Sequence, residues 1–201
     1  MSKVTSQKTL AIIPARYASS RFPGKPLVKI AGKSMIQHVW ERAMQTQAVD
    51  EVLVATDDQR ILNAVEKFGG KAVLTSTEHK TGTDRIVEAL SGHSCDWVLN
   101  IQGDEPLVLP SDLERLIRKA QHTEGTKAAT LIFKITDEAK LHDPNVVKVT
   151  LNQSSQALYF SRSMIPFPRA PQTSNFSIWH HLGVYLFKRD FLMQFHQWPQ
   201  S

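Results

Sequence analysis

Pro14-Ala15-Arg16-Tyr17-Ala18-Ser19-Ser20-Arg21-Phe22-Pro23-Gly24-Lys25-Pro26 follows directly on the short apolar run Thr9–Ile13. Three cations, Arg16, Arg21 and Lys25, alternate in it with small residues. Ala18, Ser19 and Ser20 let backbone N–H groups come close to an anion, and the three side chains supply charge for phosphate oxygens. That chemistry is the gripping of a polyphosphate. The G-x-x-x-x-G-K-[ST] and G-x-G-x-x-G spacings are both absent, so any phosphate grip here is of another kind. From composition alone, a solvated basic loop with a Pro-Gly turn is an equally good reading.

Three further groups could do chemistry. Asp104, in Asn100-Ile101-Gln102-Gly103-Asp104-Glu105-Pro106, sits just past a strand-like run, where a carboxylate can hold Mg²⁺ against phosphates. In isolation it reads as a turn aspartate. Thr81-Gly82-Thr83-Asp84-Arg85 joins a glycine to a helix start, and its backbone and hydroxyls can approach a base or ribose, with Gln102 nearby; an ordinary N-cap is the plain alternative. Arg162, His181 and Tyr185 are the residue types an acidic, hydroxyl-rich ligand calls for, although a lone His or Tyr on a strand is more often simply packed. His180 reads as solvent-facing.

These residues need a frame, and the pattern predicts a doubly wound α/β one. Buried-strand runs are expected at Thr9–Ile13, Glu51–Ala55, Ala72–Leu74, Trp97–Gln102 and Ala128–Lys134. Between them lie amphipathic helices: one capped by Ser34, one opening at Asp57-Asp58 and closed by Gly69-Gly70, one from Thr83 or Asp84, and one with Ser111 and Glu114 as a capping box. In such a sheet ligands bind beyond the carboxyl ends of the strands, where the basic loop falls. After Asp143-Pro144 the alternation stops. Val146–Leu151 and Gln156–Phe160 flank Asn152-Gln153-Ser154-Ser155 as a hairpin, then come a Pro-rich loop, a strand over Leu182–Phe187 and a short helix over Arg189–Gln197. One domain over 1–201 is the economical reading, with a nucleotide-binding part at 9–135 and a β-rich lobe at 145–188.

Composition narrows the partners. The formal charge is +5 over 201 residues, but Lys and Arg are scattered without aromatic interleaving, which disfavours a nucleic-acid groove and leaves an anionic small molecule. No apolar run is long enough for a membrane span, and the polar start lacks the build of a secretory signal, so a cytoplasmic protein is expected. Cys95 is the single cysteine, which rules out an internal disulfide and a Cys-based zinc site.

Ile13 to Lys25 resembles the signature loop of the 3-deoxy-manno-octulosonate (Kdo) cytidylyltransferases. The likeness continues at Val54-Ala55-Thr56-Asp57-Asp58, His79 to Arg85, Asn100 to Pro106, Tyr159-Phe160-Ser161-Arg162, Ile165-Pro166 and His181-Leu182-Gly183-Val184-Tyr185. The resemblance implies a Rossmann-like nucleotidyltransferase fold with a mostly parallel sheet, CTP and Kdo as substrates, Mg²⁺ as cofactor, a homodimer, and a place in lipopolysaccharide biosynthesis. It implies Arg16, Lys25 and Asp104 as catalytic residues, Asp104 also as the metal ligand. Nucleotide contacts are expected from Ala15, Arg16, Ser19, Arg21, Lys25, Thr81, Gly82, Arg85 and Gln102, and sugar contacts from Gln102, Arg162, His181 and Tyr185. The family carries a further C-terminal segment, with a Glu-rich helix and a second metal-binding aspartate, that has no match here, so this chain is expected to bind CTP and to turn over poorly. Another acidic sugar as acceptor, and a CTP-binding remnant with little turnover, are the alternatives.

Overall fold

Five apolar or small residues in succession, Thr9 to Ile13, make a strand that needs cover on both faces, and in the computed structural model they form the start of β1 (Thr9–Ala15), with only Pro14 even partly exposed. The structure describes residues 7–18, 22–167 and 177–199. The chain divides into two compact units, Met1–Ala129 with Val184–Ser201, and Thr130–Gly183.

In the first unit β1 is followed by the small antiparallel pair β2 (Lys29–Ile30) and β3 (Lys33–Ser34), then α1 (Met35–Met44), β4 (Glu51–Thr56), α2 (Gln59–Lys67), β5 (Lys71–Leu74), α3 (Gly82–Ala89), β6 (Trp97–Ile101) and α4 (Pro110–His122). The strands pair in the order β5-β4-β1-β6, all parallel, with Leu10 opposite Glu51 and Thr9 opposite Trp97. Parallel strands joined by crossover helices are covered on both faces, which is why they read as continuous apolar runs. Leu10, Ile12, Leu53, Ala55 and Val98 from the sheet pack with Ile86 and Leu90 of the α3 segment in one core cluster.

Helix starts differ in how they are satisfied. Asp58 caps α2 by accepting from the Arg60 N–H at 2.9 Å, and Thr81 caps α3 in a reciprocal box with Asp84. The expected box of Ser111 and Glu114 is not formed. α4 begins two residues earlier than that box would start it, at Pro110, whose missing N–H is one of the donors a helix start cannot use. Glu114 is drawn away instead, accepting from the Ala48 N–H at 2.7 Å and pairing with Arg118.

The second unit takes in β7 (Ala128–Lys134) from Thr130 on, a short helix α5 (Glu138–His142) that the pattern did not suggest, β8 (Lys148–Leu151), β9 (Ala157–Ser161) and the first half of β10 (Trp179–Lys188). β8 and β9 form the expected hairpin, whose turn is fixed by the Asn152 side-chain oxygen accepting from the N–H groups of Ser154 and Gln156 at 3.0 and 2.9 Å. Trp179 and His180 pair with Val149 and Lys148. Lys148 is fully buried, and its ammonium donates to the carbonyls of Asp143 and Arg162 at 2.7 and 3.2 Å. The rest of β10, Val184–Lys188, belongs to the first unit and lies antiparallel to β6; α6 (Arg189–Phe195) follows and buries Leu192. In the first unit the sheet is thus mostly parallel, as the sequence pattern predicts, with β10 three residues longer at its start than the Leu182–Phe187 run.

Candidate functional site

In the first unit a cavity of about 470 Å³ opens beyond the ends of β1 and β6. Pro14 and Ala15 line it from the end of β1, Arg16 and Ala18 from the loop that follows, Lys25 and Pro26 from the far end of that loop, Gln102, Gly103 and Asp104 from the turn after β6, and Gly82 from the first turn of α3. The carboxyl ends of parallel strands meet a helix start here, so backbone N–H groups are free to face an anion.

The loop's shape is built from within. Gly24 adopts φ 72, and its N–H donates to the Tyr17 carbonyl at 2.8 Å. A Cβ at this position would stand 3.2 Å from the Tyr17 ring, so the turn requires glycine twice over. On the tyrosine ring lies the Arg60 guanidinium, 3.3 Å from the centroid, itself held by both oxygens of Asp58 at 2.8 and 2.6 Å. Gly103 is needed for a different reason. A Cβ there would come within 3.0 Å of the Pro14 carbonyl, so only glycine lets the ends of β1 and β6 meet.

Across the cavity the Lys25 ammonium pairs with Asp104 Oδ2 at 2.6 Å, both side chains remaining substantially exposed. Arg16 is aimed by the His79 carbonyl, to which its Nη2 donates at 2.9 Å. The Gln102 amide donates to Asn100 at 3.3 Å. Burial, with the adjacent Asp104 and against the pull of Lys25, holds the Glu105 carboxyl above the usual carboxylate range.

Of the residues expected at a nucleotide, Ala15, Arg16, Lys25, Gly82 and Gln102 are thus brought to one cavity with Asp104, while Ser19 and Arg21 lie outside the described residues. Thr81 is occupied in capping α3. Arg85, expected along the pocket, is instead an interior residue: its side chain is fully buried, Nη2 bonds Asp57 at 2.6 Å, Nη1 donates to the Thr75 hydroxyl, and Nε has no partner. Spacing could not distinguish a helical arginine that faces the cavity from one that ties α3 to the loops behind it.

The residues expected at the sugar are also engaged. In the second unit Arg162 is exposed and its Nη1 donates to the Pro144 carbonyl at 2.7 Å. His181, 7% exposed, bonds the Thr130 hydroxyl at 2.9 Å and meets the Phe160 ring edge-on, and burial lowers its pKa, with His180 adding to the effect. Tyr185, in the first unit, stacks on Phe187 and stands opposite Asn100 in the register with β6; burial raises its hydroxyl pKa. Sequence reasoning missed Tyr17, Arg60 and His79, which shape the loop after β1 and aim Arg16. The aromatic ring inside that basic loop was the one available signal.

Among the described residues no group of three or more His, Cys, Asp or Glu is placed to hold a metal ion. Asp104 alone suits Mg²⁺, which commonly takes one or two protein carboxylates and fills its remaining positions with phosphate oxygens and water.

The family described as Cytidylyltransferase matches residues 10–201. The chain belongs to that family. It is 47% identical over 194 residues to the Escherichia coli 3-deoxy-manno-octulosonate cytidylyltransferase, covering 96% of this chain and 78% of the relative. It is 50% identical over 192 residues to the 8-amino-3,8-dideoxy-manno-octulosonate cytidylyltransferase of Shewanella pealeana, with 94% and 78% covered. Among solved structures, a CMP:2-keto-3-deoxy-manno-octonic acid synthetase complexed with CTP superposes with a TM-score of 0.90 at 47% identity, over 96% of this chain and 79% of that one. A 4-diphosphocytidyl-2C-methyl-D-erythritol synthase from Anaerococcus prevotii, at 16% identity and a TM-score of 0.62, shares the fold over 98% of this chain and 78% of its own.

Proposed function

We propose that this cytidylyltransferase transfers CMP from CTP to the anomeric hydroxyl of 3-deoxy-manno-octulosonate, releasing pyrophosphate, as a step of lipopolysaccharide synthesis in the cytoplasm. The observation that carries the reading is the convergence of Arg16, Lys25, Gly82 and Asp104 on one cavity at the carboxyl edge of the sheet, in a chain nearly half identical to enzymes named for that reaction. The bond from the anomeric oxygen to the α-phosphorus forms as the bond to the pyrophosphate oxygen breaks, and the hydroxyl proton leaves to solvent. Lys25 and Arg16 hold the charge that develops on the departing pyrophosphate, positioned before the reaction begins. Asp104 would hold Mg²⁺, which, when bound, supplies further positive charge at the phosphates. Gly82, with no side chain at the α3 start, leaves room for the nucleotide to approach the backbone.

The 50% identity to a relative named for 8-amino-3,8-dideoxy-manno-octulosonate supports the amino sugar as the alternative acceptor. Pyrophosphate release measured with CTP, Mg²⁺ and each sugar in turn tests the proposal. Slow but measurable turnover with Kdo is the expected result, preference for the amino sugar reassigns the acceptor, and release with neither sugar overturns the reading. A homodimer belongs to the same proposal. Its support is β9, at the end of its strand order, where Leu158 and Tyr159 are each 65% exposed and Phe160 42%, an apolar edge that a second copy of this chain would cover.

A further inference from the structure

The segment Thr75–Lys80, between β5 and α3, has no helix or strand of its own, yet the His79 carbonyl in it is the group that aims Arg16 into the cavity. Its first residue is fixed by Thr56, whose carbonyl accepts from the Thr75 N–H at 2.8 Å and hydroxyl at 3.1 Å. Its far end is fixed by the Thr81–Asp84 box. Between these anchors the chain from Ser76 to His79 is tied to α3 through one atom. Glu88 Oε2 accepts from the Ser76 N–H at 2.9 Å and bonds the His79 imidazole Nε2. The turn between them is closed by the Glu78 N–H donating to the Ser76 hydroxyl at 3.1 Å.

Among the described residues, Glu88 bonds Ser76 and His79 and none that lines the cavity, and it stands one helical turn beyond Arg85, on the neighbouring i,i+3 position of α3. One face of α3 therefore supports this loop at two points: Arg85 grips the Thr75 hydroxyl, and Glu88 draws Ser76 and His79 together. We propose that Glu88 is a positioning residue for the nucleotide site, acting on Arg16 through the His79 carbonyl. A guanidinium bonded to a fixed carbonyl through one nitrogen keeps its other N–H groups for a phosphate and has fewer orientations to lose on binding. Without Glu88, the Ser76–His79 turn loses its tie to α3 and keeps only the bond from the Glu78 N–H to the Ser76 hydroxyl. The carbonyl then no longer specifies where Arg16 points.

The inference rests on the phosphate-site reading above, and the experiment separates the two. Turnover and thermal melting are measured for Arg16→Ala, Glu88→Ala, Glu88→Gln and the double variant Arg16→Ala/Glu88→Ala. Glu88→Ala is expected to lose turnover by on the order of 10²-fold, the scale of a misplacement of about 1 Å. Glu88→Gln keeps an oxygen that can accept from both Ser76 and His79, so it is expected to run close to the unmodified protein. In the Arg16→Ala background Glu88→Ala is expected to add little, because the group it positions is already gone. Additive losses, normal turnover of Glu88→Ala, or a Glu88→Gln variant as impaired as Glu88→Ala would each overturn the inference while leaving the site in place. Full turnover of Arg16→Ala would overturn the phosphate-site reading and this inference with it. If Glu88→Ala melts too low to assay, His79→Ala, which removes only the ring's bond, takes its place in the same cycle.

Discussion

In the first unit, every residue of β6 and every residue of β4 but Glu51 is buried, and the charged side chains at the strand ends stand out into a cavity. In the second unit the relation is reversed: β9 carries its apolar side chains outward, and the polar residues expected to act there are bonded to the fold. Among the described residues the side chains of Lys25 and Asp104 bond each other, whereas Arg162 serves the Pro144 carbonyl and His181 the Thr130 hydroxyl. Residue type suggested a ligand for both sets, and the family resemblance placed both there. What separates them is whether a side chain is already used in holding its own surroundings.

The same contrast runs inside the first unit, between Arg85 and Lys25, and there it can be broken most sharply. Arg85→Ala leaves Asp57 without its buried partner and is expected to cost about 3–5 kcal/mol of stability, read by chemical denaturation. Unfolding at an unchanged denaturant concentration would return Arg85 to the set of ligand contacts. Lys25→Ala and Asp104→Asn are expected to do the opposite, lowering turnover by on the order of 10²-fold or more while melting stays put, since each removes charge at the phosphates from an exposed position. A near-normal rate in either would misplace the site. The smallest effect belongs to the second unit. Arg162→Ala removes one bond to a carbonyl and is expected to cost about 1 kcal/mol, with the KM for the sugar as the second measurement. An unchanged KM would confine Arg162 to its structural bond.

The parallel half of the fold was legible because its strands are continuous apolar runs and its helices carry one apolar face each. The loop after β1 was legible too, as a place where three cations and small residues gather. Harder to read were the features that depend on a partner distant in the chain. The α4 start illustrates this: Ser111 and Glu114 have the spacing of a capping box, but Ala48 offers Glu114 an unsatisfied N–H that only the folded chain brings near. The burial of Arg85 depends likewise on Asp57 and Thr75, and the grip on Tyr17 on Arg60. Both are long-range contacts that leave no local period. α5 was missed because five residues are too few to establish one.

The ion pair of Lys25 and Asp104 makes ligand entry an exchange. An incoming anion does not meet a bare ammonium but competes for its N–H groups with a carboxylate seated 2.6 Å away. A small monoanion offers Lys25 nothing better than it already has. A chain of phosphates, engaging Arg16, Lys25 and the backbone at Gly82 together, offers several contacts for the one surrendered. In the proposed site the pair would favour ligands that bring several charges at once. Because one ion pair is given up for each one made at Lys25, that part of the affinity responds less to added salt than an unpaired lysine would.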